Sequence, residues 1–495
     1  MLSTASVPCQ ANVTKSSSKL GITIPHFCQS DNPARAVVRL TVANQTAEAS
    51  FLALAAPWVT IPTSICTKLN IAYGQSLSIL ELKPIQPHTR PAFRTEGEKV
   101  DMLSLIPPTS TNGYPLYVDE YENNVEQWLR IWYHHPRGAA RQIELRRWID
   151  ISKLGQLLGQ LQAEGDKKSL RVVFKNASIS EHADFVTALC ELGTPATSIL
   201  ARCILNPTKS SQESAREYAT SYTRATGILI SSINENIAMK GAMVAETCVR
   251  SSILASILSS AMDETREGTI ADESLRHAFL AKLLSGDGSL DARKTPRRLD
   301  VRVKIVDQNL KYLSDYAEIL AKEGFIAHVL PEQITVRAYC TWLNLLTLYQ
   351  ISAFRNNRNW TKLICSIMIQ MNGMENQGYK RIQELSSLEK ITSADVSTNY
   401  SIGLRSANLW IGTMIRRGLI ETVPKVGGGF KNYRVSANGI QMAKILENIE
   451  REYKEICSQQ GIEDAEVVLQ RTKRKLNRTP PKQEDSKAVI KPYRP

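Results

Sequence analysis

Residues 157–165 read Leu157-Leu158-Gly159-Gln160-Leu161-Gln162-Ala163-Glu164-Gly165, and residues 280–288 read Leu280-Ala281-Lys282-Leu283-Leu284-Ser285-Gly286-Asp287-Gly288. Each is an apolar run with a small residue one place before a carboxylate and a glycine directly after it. Such a run predicts a helix, and the closing glycine predicts its end. Two helices of this kind laid side by side would bring Glu164 and Asp287 together from positions far apart in the chain. Gly159, Ala163 and Gly286 are small where close helix packing needs it.

The likeness continues downstream. Aligning Leu170 with Leu299 sets Val172 over Val301, Phe174 over Val303 and Lys175 over Lys304. Apolar residues fall on one strand parity, with Arg171 and Lys175 in one copy and Arg302 and Lys304 in the other on the opposite parity. The expected strands therefore have one core face and one cationic face. Each strand leads into a helix that ends at glycine. The first is capped by Ser180 and runs through Phe185, Leu189 and Leu192 to Gly193; the second runs through Leu310, Leu313, Ala317 and Leu320 to Gly324. The second copy carries an inserted basic loop, Arg293-Lys294-Thr295-Pro296-Arg297-Arg298. These features predict a first repeat over 151–227, a helix-rich connector over 228–270 and a second repeat over 271–355. A repeat of this length constrains the architecture more than any single motif.

The duplicated stretch, from residue 151 to about 354, resembles the LAGLIDADG homing endonucleases. The resemblance implies an α/β (α+β) fold of two αβαββα halves about a two-helix pseudo-twofold interface. It implies that Glu164 and Asp287 are catalytic and bind Mg²⁺ (or Mn²⁺), with Gly165 and Gly288 counted in the metal site. It further implies that curved sheets enter the major groove of double-stranded DNA. Hard Mg²⁺ suits carboxylate oxygen, and metals held there could activate water and stabilise the leaving oxygen. Arg171, Lys175, Arg293, Lys294, Arg297, Arg298, Arg302 and Lys304 would then contact bases or phosphates. The family usually places a lysine near the last strand of a half. Lys209 fits in the first half as a third catalytic residue, whereas the equivalent stretch Tyr339-Cys340-Thr341 has none. Three further departures stand out: Lys282 at a position that is usually glycine, Glu164 where aspartate is commoner, and Gln162 and Ser285 in place of the family's other acid.

Around this core, residues 1–34 are rich in Ser, Thr, Asn and Pro and are expected to form a flexible arm. Residues 35–85 read as a small β-rich domain. Its Trp58-Val59-Thr60-Ile61-Pro62 and following Gly74 resemble the swapped-hairpin DNA-binding domains of the AbrB family. Residues 86–117 read as a Pro-, Thr- and Ser-rich linker. Residues 118–150 form an aromatic and basic connecting segment that includes Trp128, Trp132, His134, His135, Arg137 and Trp148. Such residues can stack on bases or pack against a neighbouring helix. Over 356–455, three helices and a glycine-tipped basic hairpin resemble a winged helix-turn-helix, with Arg405, Arg416, Arg417 and Lys431 as DNA-contacting residues. The basic, Pro-containing stretch 456–495 is expected to be disordered.

The 495 residues carry a net charge of +13, so a polyanion is the first partner to consider. Nine cysteines occur singly, with no Cys-x-x-Cys pair, which argues against zinc sites and a disulfide framework. No signal peptide or membrane-spanning run is visible, and the expectation is an intracellular protein with no membrane partner, monomeric with internal pseudo-twofold symmetry. The leading expectation is a site-specific, metal-dependent DNA endonuclease. A catalytically inactive DNA-binding transcriptional regulator and an RNA-binding splicing cofactor share the same basic surface.

Overall fold

A computed structural model of the chain describes residues 9–16, 19–23, 34–42, 45–53, 58–60, 66, 70–123, 126–133, 141–166, 170–294, 299–355, 358–371, 377–424 and 431–460. His134, His135, Arg137, Arg297, Arg298, most of the loop of the glycine-tipped hairpin and the tail from 461 lie outside these residues, as does the Lys294 side chain. The chain mixes helices and strands throughout and forms two compact units, Met1–Gly286 and Asp287–Pro495. Among the described residues no helix is long and apolar enough to cross a membrane.

The first unit opens with six antiparallel strands: β1 (Cys9–Ser16), β2 (Lys19–Thr23), β3 (Ala34–Val42), β4 (Gln45–Ala53), β5 (Trp58–Thr60) and β6 (Ser76–Pro84), in the order β4-β3-β6-β1-β2-β5. The expected arm thus supplies two strands of the sheet, because pairing with β6 and β5 satisfies their backbone groups. The expected linker is also part of the fold. It holds β7 (Thr95–Glu96), β8 (Lys99–Asp101) and a short 3-10 turn, and it buries Val100, Met102, Leu105, Ile106 and Leu116. Strands β9 (Tyr117–Asn123), β10 (Glu126–Tyr133) and β11 (Arg141–Arg146) form a three-stranded sheet, and β12 (Trp148–Asp150) pairs with β8.

Helix α1 (Ile151–Glu164) starts where the Asp150 side chain accepts the Lys153 N–H at 2.8 Å, and it buries Leu154, Leu157, Leu158 and Leu161. Beyond it lie β13 (Val172–Asn176), α2 (Ile179–Glu191), β14 (Ile199–Leu205), α3 (Gln212–Thr226), β15 (Ile230–Glu235), β16 (Met243–Val249), α4 (Ser252–Arg266) and α5 (Glu273–Gly286). The four strands make one sheet in the order β13-β16-β14-β15, with β15 parallel to β14. The segment 228–270 is therefore two strands of this sheet and a helix. Strand β16 escapes an alternation test because it is buried on both faces from Ala245 to Val249, and β15 because none of its residues is fully buried. Strand β13 likewise buries Val172, Val173 and Phe174 in succession, so the simple parity expected there fails. The helix cap falls at Ser178 rather than Ser180, since the Ser178 side chain accepts the Glu181 N–H.

The early strands are fastened to this sheet's helices. The Arg90 guanidinium forks onto the Glu264 carboxylate, Thr111 N–H donates to Ser256 Oγ at 2.8 Å, and Tyr133 pairs with Ser252 at 2.8 Å. Trp128 packs over Gly193, where any side chain would collide with its ring, and Arg146 N–H donates to the Leu192 carbonyl at 2.9 Å.

The second unit begins with the antiparallel pair β17 (Gly288–Lys294) and β18 (Leu299–Val306), continues through α6 (Leu310–Lys322), and adds β19 (Ile326–Leu330) and β20 (Thr335–Tyr339) in the order β17-β18-β20-β19. Part of the expected basic loop is thus strand β17, one strand more than an αβαββα half contains. Alternation on β18 is strict, with Leu299, Val301, Val303 and Ile305 buried and Asp300, Arg302 and Lys304 on the other face. Helices α7 (Trp342–Gln350) and α8 (Arg358–Met371) follow; buried Lys362 of α8 donates to the Leu290 carbonyl at 3.1 Å and covers the edge of β17. The C-terminal part comprises α9 (Gln377–Leu385), α10 (Ser393–Asn399), α11 (Leu404–Arg416), the hairpin β21 (Ile420–Val423) and β22 (Asn432–Val435), and α12 (Ala437–Gln460). Ile391 pairs with Tyr433 beside the hairpin, and Glu452 of α12 accepts from Tyr349 and Trp360 at 3.0 and 2.9 Å.

Candidate functional site

Helices α1 and α5, which carry the two motif copies up to Gly286, pack directly on one another. The contact is made at glycines. A Cβ on Gly155 would stand 2.6 Å from the Leu275 carbonyl oxygen, and one on Gly159 would overlap the Phe279 carbonyl oxygen outright. A Cβ on Gly286 would lie 2.5 Å from that of Ala163. These small residues recur every four positions along α1, so backbone meets backbone along the whole seam. Glu164 ends α1 and lies half-buried against Gly286. Gly165 caps α1, its N–H bonded to the Leu161 carbonyl at 2.9 Å. Asp287 is the turn residue that follows α5, and Gly288 opens β17 opposite Ile305.

Burial, and then the negative charge of Glu181, push the Glu164 carboxyl above its ordinary range. Glu181 is itself held in a buried network. Its Oε2 receives Lys282 Nζ at 2.8 Å and Gln160 Nε2 at 2.8 Å, while Lys282 also reaches Asp184 at 2.8 Å. Lys282 therefore fits the seam because its stem crosses α1 at Gly159 and its ammonium ends on α2. Burial pushes the Lys282 ammonium down, but Glu181 and Asp184 outweigh this and raise it. Gln162, fully buried, accepts from Arg266 Nη1 at 3.2 Å.

Lys209 is not brought to Glu164. Gly165 pairs with Phe174, which lies in one row with Thr247 and Ala201, whereas Lys209 follows the far end of β14. At strand spacings this is roughly 14 Å across the sheet and more than about 13 Å along it. The Lys209 ammonium instead donates to the Lys240 carbonyl.

The faces of the two sheets opposite their helices carry most of the other expected residues. On the first, Lys175, Glu246 and Arg202 stand in one row, with Arg171 exposed just before β13. On the second, Arg293, Arg302 and Lys304 share the face with Asp291, Asp300, Arg337, His328 and Tyr339. Arg202 and Arg337 lie within the two repeats but outside the aligned stretches 170–175 and 299–304, so the alignment does not single them out. Burial raises the Glu246 carboxyl, yet its bonds to Arg202 and Lys175 hold it below the usual range. In the C-terminal part, Arg405, Arg416, Arg417 and Lys431 are exposed on α11, at its end and just before β22.

Among the described residues no three His, Cys, Asp or Glu side chains cluster in a metal-binding arrangement. Magnesium is commonly held by one or two carboxylates with water and substrate phosphates completing its shell. Glu164 is a half-buried carboxylate at the end of α1, a hard oxygen donor of the kind such a shell uses. No protein-family model matches the chain, and no curated protein matches it.

Proposed function

We propose that the chain is a site-specific DNA endonuclease of the LAGLIDADG type, hydrolysing phosphodiester bonds of double-stranded DNA with a divalent cation. The observation that carries this reading is the glycine seam, in which two copies of one motif run side by side and Gly286 abuts Ala163 and Glu164. A short apolar motif found once is commonplace; two copies packed on each other at their small residues have the form of a duplicated fold's interface.

Glu164 and Asp287 are assigned as the carboxylates that hold the cation. When bound, Mg²⁺ would make water a nucleophile near neutral pH and stabilise the leaving oxygen. The sheets bearing Lys175 and Arg202, and Arg302 and Lys304, would track the duplex, and the net charge of +13 supplies the non-specific attraction. The helix–turn–helix of α10 and α11 with the β21–β22 hairpin has the element order of a winged helix, a second DNA-contacting part. Incubating the full chain with a randomised duplex library and Mg²⁺, then sequencing the broken ends, should return one recurrent junction. Intact duplexes would contradict the proposal.

The position of Lys209, with no lysine at 339–341, favours a second reading: a DNA-binding regulator that keeps the fold without cleaving.

A further inference from the structure

Both sheets place a carboxylate among the cations of their open faces. On the first, the Glu246 carboxylate, 5% exposed, receives Arg202 Nη2 at 2.7 Å and Lys175 Nζ at 3.2 Å from the strands on either side. On the second, Asp300 accepts Arg302 Nε at 3.0 Å and also its Nη2. Tyr339, the cross-strand partner of Arg302, lies beneath that guanidinium at 4.6 Å. Asp291 joins Lys304 and Arg293 at 3.2 Å each.

A face that bound phosphates alone would gain nothing from these acids, since each repels the DNA backbone and lowers the non-specific attraction. What a carboxylate does accomplish is to fix a long cation in one orientation. Arg302 is held by Asp300 through Nε and Nη2, which leaves the Nη1–Nη2 end of the guanidinium for another acceptor, and its side chain remains 24% exposed. That edge of paired N–H donors matches guanine N7 and O6 in the major groove, a bidentate contact that a lysine cannot reproduce. Arg202, 43% exposed, is anchored by a single Nη nitrogen to a carboxylate that is itself almost fully buried.

We infer that Arg202 and Arg302 are base-reading residues, one on each sheet, and that each is set by its carboxylate to recognise a guanine. The inference rests on the duplex-DNA reading above. It is tested by selecting a randomised duplex library with the full chain in EDTA, where binding is read without cleavage, and repeating the selection with Arg302→Lys, Arg202→Lys, Asp300→Asn and Glu246→Gln. Thermal melts establish that each variant is folded. The wild type should select guanine at two or more positions. Arg302→Lys and Arg202→Lys should each lower discrimination at one of them by roughly tenfold to a hundredfold, leaving the rest of the site unchanged. Asp300→Asn and Glu246→Gln should weaken the same positions as their arginine partners. Lysine variants that keep every preference and lose only general affinity would make the arginines phosphate contacts and overturn the inference. Asparagine and glutamine variants that bind all sequences alike more tightly, with no position weakened, would overturn it too. A wild-type site without guanine defeats the inference alone, whereas a wild type that selects no sequence defeats the endonuclease reading with it.

Discussion

Replacing Gly159 with alanine probes the helix seam at its tightest point. The added methyl would overlap the Phe279 carbonyl oxygen and stand 2.9 Å from Lys282 Cβ, where 3.4 Å or more is ordinary contact. Neither neighbour is a flexible tip, so α1 and α5 must part or shear by about 1 Å, which forfeits a quarter to a half of the dispersion attraction between the atoms that separate. Alanine's better helix propensity returns about 1 kcal/mol, against an overpacking cost of about 1–3 kcal/mol and the weakened attraction along the seam. The net expectation is a destabilisation of roughly 1–3 kcal/mol. At about 2–4 °C per kcal/mol for units of this size, the melting temperature should fall by roughly 2–12 °C in scanning calorimetry. Gly412→Ala is the control: it lies in α11 with its nearest neighbour, Arg416 Nη1, 3.9 Å away, and should be neutral or stabilising. If Gly159→Ala melts at or above wild type, backbone does not meet backbone at this glycine and the seam is wrong.

Lys282→Met should lower stability by about 3–5 kcal/mol in urea titration by stranding the buried Glu181 charge, and Lys282→Met with Glu181→Gln should recover much of that loss. Glu164→Gln should raise the melting temperature at pH 7 while removing cleavage, because burial and Glu181 both disfavour the ionised carboxylate in the folded chain. His182 should make stability fall under acid. Its Nε2 faces the Asn176 carbonyl at 3.0 Å and its Nδ1 the Thr247 hydroxyl at 2.7 Å, and burial holds its pKa below 6.5. The unfolded chain therefore takes up the proton first, and stability is lost as pH drops from about 6.5 through the folded value. Denaturant midpoints from pH 8 to 5 should show that slope, and His182→Gln should reduce it.

What could be read from the residues alone follows from how each segment is buried. The motif helices were legible because leucines recur along them and glycine closes them, and β18 was legible because only one of its faces is covered. Strand β16 was not: with Ala245, Glu246, Thr247, Cys248 and Val249 all buried it has no period of two, and alanines nearby suggest helix. The 86–117 segment misled in the opposite way. Its prolines and serines are turn residues, but they carry buried Met102, Leu105 and Ile106 and are tied to α4 by Arg90 and Thr111. The place of Lys282 depended on a long-range partner, Glu181, that no local pattern reveals, and the same holds for Arg202 with Glu246.

The endonuclease proposal meets its sharpest test in scission of the duplex that the full chain itself selects, followed on a denaturing gel with Mg²⁺ for wild type, Glu164→Gln and Asp287→Asn. All three should bind with similar affinity, wild type should cut both strands at one position, and each variant should leave at least one strand intact. Equal binding with no cutting by any of the three would contradict the proposal and leave a DNA-binding protein without nuclease activity.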